Sequence, residues 1–248
     1  KLTASDAAVG DRFGVPVAID GSTIVVGAYA KEGGDDCTLN NYYSWEGDDC
    51  EHGAVYVFLT TDGGATYAQV AKLTAADGAT WDVFGRSVAI DGGTIVVGAY
   101  SDDPGGSAYV LRTTDGGVTY NQVAKLTAAD AAANDWFGYS VAIDGSTVVV
   151  GSLWDDDAGT NSGSAYVFRA TDGGATYDEV AKLTAADAAA GDQFGSYVAI
   201  TGDTVVIIGG GAAYVFEDES SWWDYFSSKA AKRPLPPAMV LLVAMLAL

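Results

Sequence analysis

The chain has little with which to do metal or nucleophile chemistry: one histidine, two cysteines and two methionines in 248 residues. It is also short of positive charge, with 12 Lys and Arg against 33 Asp and Glu and a net charge of −21. That deficit excludes nucleic acid and anionic lipid as partners, because binding them draws on clustered cations that displace counterions. No GxSxG, HExxH or Walker segment occurs. The longest apolar run is eleven residues, at the chain end, whereas an unaided membrane helix needs about 20. Glu, Lys, Gln and Met are sparse and 32 residues are glycine, a composition that implies many tight turns and an all-β fold. The acids are mostly aspartates in turns, which suits cation binding as well as a solvated, self-repelling surface.

What the sequence does have is repetition. "KLTA" begins at residues 1, 72, 125 and 182, and "FG" at 13, 84, 137 and 194. Each FG leads into an apolar-Ala-Ile segment, a turn, a β-branched run and then "VYVF", "AYVL" or "AYVF". These read as four short strands per unit, with Asp-Gly between the first two as a two-residue hairpin signal. An octapeptide follows the third strand three times, as "TTDGGATY" at 60–67, "TTDGGVTY" at 113–120 and "ATDGGATY" at 170–177. It falls where a hairpin must reverse. Asp62, Asp115 and Asp172 can bond neighbouring backbone N–H groups, glycine can take positive φ and threonine can enter the next strand. The octapeptide is therefore expected to be a structural turn.

Thr60-x-Asp62-x-Gly64-x-Thr66-Tyr67 resembles the Asp-box of sialidase-like propellers, which lies at the same turn. The units as a whole resemble FG-GAP repeats, the blades of integrin α-subunit propellers and of many algal and microbial surface proteins. Phe13-Gly14 with Gly27-Ala28-Tyr29 carries the likeness, as do Phe84-Gly85 with Gly98-Ala99-Tyr100 and Phe137-Gly138 with Gly151-Ser152-Leu153. Phe194-Gly195 with Gly209-Gly210-Gly211 completes the set. The resemblance implies a β-propeller of four four-stranded blades over residues 1–216. Blades are expected at about 5–75, 76–128, 129–185 and 186–216, with residues 1–4 pairing onto the last blade and closing the ring, which would remove an exposed edge. A larger propeller, of which this is a piece, is the alternative. Residues 217–237 are expected to be a linker and 238–248 a short apolar tail. The integrin-type repeat also implies a calcium loop between its first two strands, but here that join is only Asp-Gly-Ser/Gly-Thr. It is too short to supply the six to eight oxygens calcium takes, and the proline of GAP is missing from every copy.

Unit length marks what is special. Successive FG phenylalanines are 71, 53 and 57 residues apart, so the first unit carries an insertion within residues 31–52. It holds both cysteines, the single histidine, Tyr42, Tyr43 and Trp45, and the acids Asp35, Asp36, Asp48 and Asp49. Cys37 and Cys50 read either as free thiols or as a disulfide, worth about 3 kcal/mol by closing a short loop, and a disulfide implies an oxidising compartment. The aromatics are of the kind that anchor partners. Candidate calcium ligands are Asp155, Asp157 and Asn161 around a flexible glycine, with Asp102 and Asp103 in the second unit and the four insertion acids as looser versions. The alternative for all of them is a solvated Asp-Gly turn.

The C-terminus passes from small residues through a basic, proline-rich spacer to the apolar tail. That order resembles a GPI-attachment signal with Ser227 or Ser228 as the anchored residue, and it also fits a transmembrane helix cut short. Either places the repeats outside the cell, with membrane contact only through the tail or a lipid anchor. The expected function is an extracellular or cell-surface adhesion module that binds protein or glycan through its loops, without catalysis. A carbohydrate-active enzyme and a purely structural wall component are the alternatives.

Overall fold

In a computed structural model, residues 1–31 and 52–217 are described. They form fifteen strands in four antiparallel sheets. The first sheet is β1 (Val17–Asp20), β2 (Thr23–Ala28), β3 (Ala54–Leu59) and β4 (Ala68–Leu73). The second is β5 (Ser87–Asp91), β6 (Thr94–Ala99), β7 (Ser107–Arg112) and β8 (Asn121–Leu126). The third is β9 (Phe137–Asp144), β10 (Thr147–Ser152), β11 (Ser164–Arg169) and β12 (Asp178–Leu183). The fourth, among the described residues, has three strands: β13 (Tyr197–Thr201), β14 (Thr204–Gly209) and β15 (Ala212–Glu217). The all-β expectation and the four repeated blades hold. Every sheet is a meander in chain order, since each hairpin carries the turn chemistry that its reversal needs.

The signature residues make sense once adjacent blades meet. Phe84, Phe137 and Phe194 are fully buried, and each stacks edge-on against the tyrosine of its own third strand: Tyr109, Tyr166 and Tyr214, at 5.4, 5.4 and 5.2 Å between centroids. Each of these phenylalanines also pairs, by a parallel bridge, with the preceding blade at Gly53, Gly106 or Gly163. The glycine after each phenylalanine then lies against the glycine that closes strand two of the preceding blade. A Cβ on Gly98 would stand 1.9 Å from the carbonyl oxygen of Gly138. FG and GA are two halves of one backbone-to-backbone joint, each supplied by a different blade.

The apolar core lies between sheets. Val25, Val55, Val57 and Leu73 of blade one pack with Phe84, Ile95, Val97 and Tyr109 of blade two. The same contact recurs between blades two and three and between three and four. A second tie recurs at the opposite turn: Asp20 accepts a hydrogen bond from Gly92 N at 2.7 Å, and Asp91 one from Gly145 N at 2.6 Å. The Asp-Gly pairs thus make the inner hairpin and also link it to the next blade.

Among the described residues the expected pairing of residues 1–4 onto the last blade is not seen: they form no strand, and Leu2 and Ala4 pack against Val26, Tyr56 and Phe58 of blade one. The reason lies in the repeat. Leu73 and Ala75 enter the core between blades one and two, and Leu2 and Ala4 bring the same residues to the leading side of blade one. Among the described residues, no core cluster joins blade four to blade one. Val17 is accordingly 58% exposed, where its counterparts Val141 and Val198 are at 8% and 7%.

Candidate functional site

The octapeptides are turns held by their own side chains. In the first, Asp62 Oδ1 accepts from Thr60 Oγ1 at 2.7 Å and from Thr66 N at 2.9 Å, while Asp62 Oδ2 accepts from Thr66 Oγ1. Thr60 Oγ1 in turn accepts from Gly64 N at 2.9 Å. Asp115 repeats the set with Thr113, Thr119 and Gly117 N. Asp172 keeps the bonds from Ala175 N, Thr176 N and Thr176 Oγ1, but Ala170 stands in place of the first threonine. These bonds favour the ionised carboxylates. The Thr66 hydroxyl and N–H draw the pKa of Asp62 down to about 2, and the Thr119 and Thr176 bonds lower those of Asp115 and Asp172.

A second repeated arrangement was only half visible in the sequence. Each "KLTA" is followed, five residues after its lysine, by an aspartate: Asp6, Asp77, Asp130 and Asp187. The linker that carries it runs over the outer strand of the following blade, where Gln69, Gln122 and Glu179 accept the N–H of Ser5, Ala76 and Ala129. A β-bulge opposite Val57/Phe58, Val110/Leu111 and Val167/Phe168 sets the register of those outer strands. The linker aspartate thereby meets the lysine and tyrosine of that blade. Lys72 lies 2.6 Å from Asp6, which also accepts from Tyr56 OH at 2.7 Å. Lys125 lies 2.7 Å from both Asp77 and Asp102.

Blade three carries the largest version. Lys182 Nζ bonds Asp130 at 2.7 Å, Asp155 at 2.9 Å and Asp157, and Tyr166 OH donates to Asp130 and Asp155 at 2.8 and 2.7 Å. Burial works against the charge on Lys182, but its hydrogen bonds to Asp130, Asp157 and Asp155 outweigh it and raise the pKa. Burial and the Asp155 charge push the Tyr166 phenol far up, so it stays a donor. Nearby Asp135 is raised by burial, opposed by the Ala132 N–H and reinforced by Asp155.

The candidate calcium ligands are therefore only partly brought together. Asp155 and Asp157 converge with Asp130, their ligand oxygens within 4.8 Å of one another, but around an ammonium. Asn161 does not join them; its backbone N–H bonds Asp156 Oδ1 at 2.6 Å. Asp102 is held by Lys125 and Tyr109, and Asp103 is exposed beside it. A donor set with Lys182 at its centre does not fit calcium in the form the sequence suggested. In blade one the position of Asp102 and Asp155 is taken by Lys31, which is buried against Asp11 at 3.0 Å. Asp35, Asp36, Asp48, Asp49, Tyr42, Tyr43, Trp45, Cys37, Cys50, Ser227 and Ser228 lie outside the described residues.

Four sheets of one repeated meander, joined by FG-to-GA backbone contacts and by linker aspartates, define a propeller-type repeat protein. The FG-GAP repeat model matches residues 1–58, 67–111, 120–168 and 177–216, and the chain belongs to that family. FG-GAP repeats are found in adhesion and surface proteins, and the family is typically non-catalytic. No curated protein matches the chain.

Proposed function

We propose that the protein is an extracellular or cell-surface interaction module that binds a surface protein or glycan through its strand-two-to-three loops and does no catalysis. One observation carries this reading: departures from the repeat gather at that end of the blades, while the polar groups that do repeat are spent on internal bonds. Asp62, Asp115 and Asp172 close turns, and Asp6, Asp77 and Asp130 hold lysines. The longest departure is the insertion of the first unit. Gly53 N bonds Lys31 O at 3.0 Å, so the inserted chain leaves and returns at one point on this end. The cysteine pair and the C-terminal sequence support an exported, surface-held protein.

The test is to replace residues 32–52 with the short turn of residues 103–105, keeping Lys31 and its ion pair with Asp11. The swapped protein is expected to melt as the parent does and to lose binding to cell surfaces. Undiminished binding would remove the insertion as recognition element and move the structural-module reading to first place. Turnover of a glycan substrate by the parent would overturn the non-catalytic reading.

A further inference from the structure

A row of half-buried side chains crosses blades one to three at the loop end. Tyr29 and Tyr100 follow the GA of strand two, Arg86 and Tyr139 follow FG, Trp136 precedes FG and Trp154 lies in the third strand-two-to-three loop. The Arg86 guanidinium lies 5.9 Å from the Tyr29 ring centroid and 4.5 Å from that of Tyr139, and donates to Tyr139 OH at 3.0 Å. Tyr139 is stacked on Trp136 (6.0 Å, 9°), and Trp136 on Trp154 (3.4 Å, 20°); Tyr100 lies 4.8 Å from Trp136.

Three features separate this row from ordinary packing. First, the equivalent positions in blade four are Gln193, Ser196 and Gly210, so the scaffold does not need the rings. Second, Trp154 Nε1 is buried with no hydrogen-bond partner among the described residues, a cost that a site selected for stability alone would shed. Third, Arg86 has no carboxylate within salt-bridge distance among the described residues, in a chain with 33 acids, and only one of its guanidinium N–H donors is engaged there. Flat rings beside a guanidinium with donors to spare suit a ligand with C–H faces and clustered hydroxyl oxygens. The chain's charge of −21 disfavours a polyanion.

We infer that this row is a binding platform for a neutral oligosaccharide, with sugar faces stacked on the exposed parts of the rings and hydroxyl oxygens accepting from Arg86. The inference rests on the interaction-module reading, and it assigns the ligand class and a site that the insertion alone does not supply.

The full chain is titrated with soluble cellohexaose, laminarihexaose, chitohexaose and mannohexaose, followed by tryptophan fluorescence and calorimetry. At least one is expected to give saturable binding, weakened about tenfold or more in Arg86→Met and in Trp154→Ala, with both variants melting as the parent does. Should Trp154→Ala unfold, Arg86→Lys serves instead, since it keeps the charge and loses the planar fork; the same weakening is expected. Absence of saturable binding by all four sugars, or binding that survives both substitutions, overturns the platform. Protease-sensitive cell-surface binding that survives in the variants would leave the interaction module standing without it. If the variants lose that binding while no sugar binds, the row is a protein contact and the saccharide assignment fails.

Discussion

Gly98 of blade two and Gly138 of blade three meet backbone to backbone, leaving no room for a single methyl group: a Cβ on Gly98 would lie 1.9 Å from the Gly138 carbonyl oxygen and 2.2 Å from Ser87 Oγ. Nothing flexible can give way, since the nearer atom is backbone. Gly98→Ala is expected to cost roughly 2–3 kcal/mol, as forced overpacking does, and to lower the melting temperature by about 5 °C or more. Gly145→Asn is the control: that glycine has open space around it and φ +57, a conformation Asn tolerates, so its melting temperature should stay near the parent's.

Acid should loosen the octapeptide turns. Asp62 titrates at about 2 in the folded chain against an ordinary 3.8, because Thr66 bonds its carboxylate. A depressed folded pKa means that the unfolded chain takes up the proton first. The stabilisation is therefore fully present above about pH 4 and is lost as pH falls toward 2. Parent and Asp62→Asn should converge in melting temperature across that window and differ above it; a gap that is constant with pH would contradict the ionised turn. Asp115→Asn should behave alike, since the Thr119 bonds also lower the pKa of Asp115.

Lys182 is the cation that its three aspartates share. Lys182→Met leaves Asp130, Asp155 and Asp157 facing one another and should cost about 3 kcal/mol, as breaking a buried pair does. Added calcium should then raise the variant's melting temperature and leave the parent's unchanged at this site. A calcium-dependent rise in the parent that disappears with Asp157→Asn would show that the metal displaces the lysine.

Deleting residues 1–5 removes Leu2 and Ala4 from the leading core of blade one and uncovers Val26, Tyr56 and Phe58. The expected loss is about 2–3 kcal/mol. Hydrogen exchange locates it: faster exchange confined to β2 and β3 fits the packing described, whereas faster exchange in β15 as well would mean that the N-terminus also closes the ring onto blade four.

The sequence by itself determined the number of units, the strands within each and the role of the octapeptide, because these are local. Asp62 bonds residues no more than four positions away, and alternating Val and Ile next to Asp-Gly can fold in few ways. It also showed Asp155 and Asp157 as a pair of donors. Only the tertiary structure decided what those donors hold, because Lys182 is 25 residues from Asp157 and 52 from Asp130, and the linker must cross the next blade before they meet. The row from Tyr29 to Trp154 was illegible for the same reason. In the sequence Arg86 is one residue beside FG; its neighbour Tyr139 lies 53 positions on, in the next blade, and stacking acts through space between blades rather than along the chain.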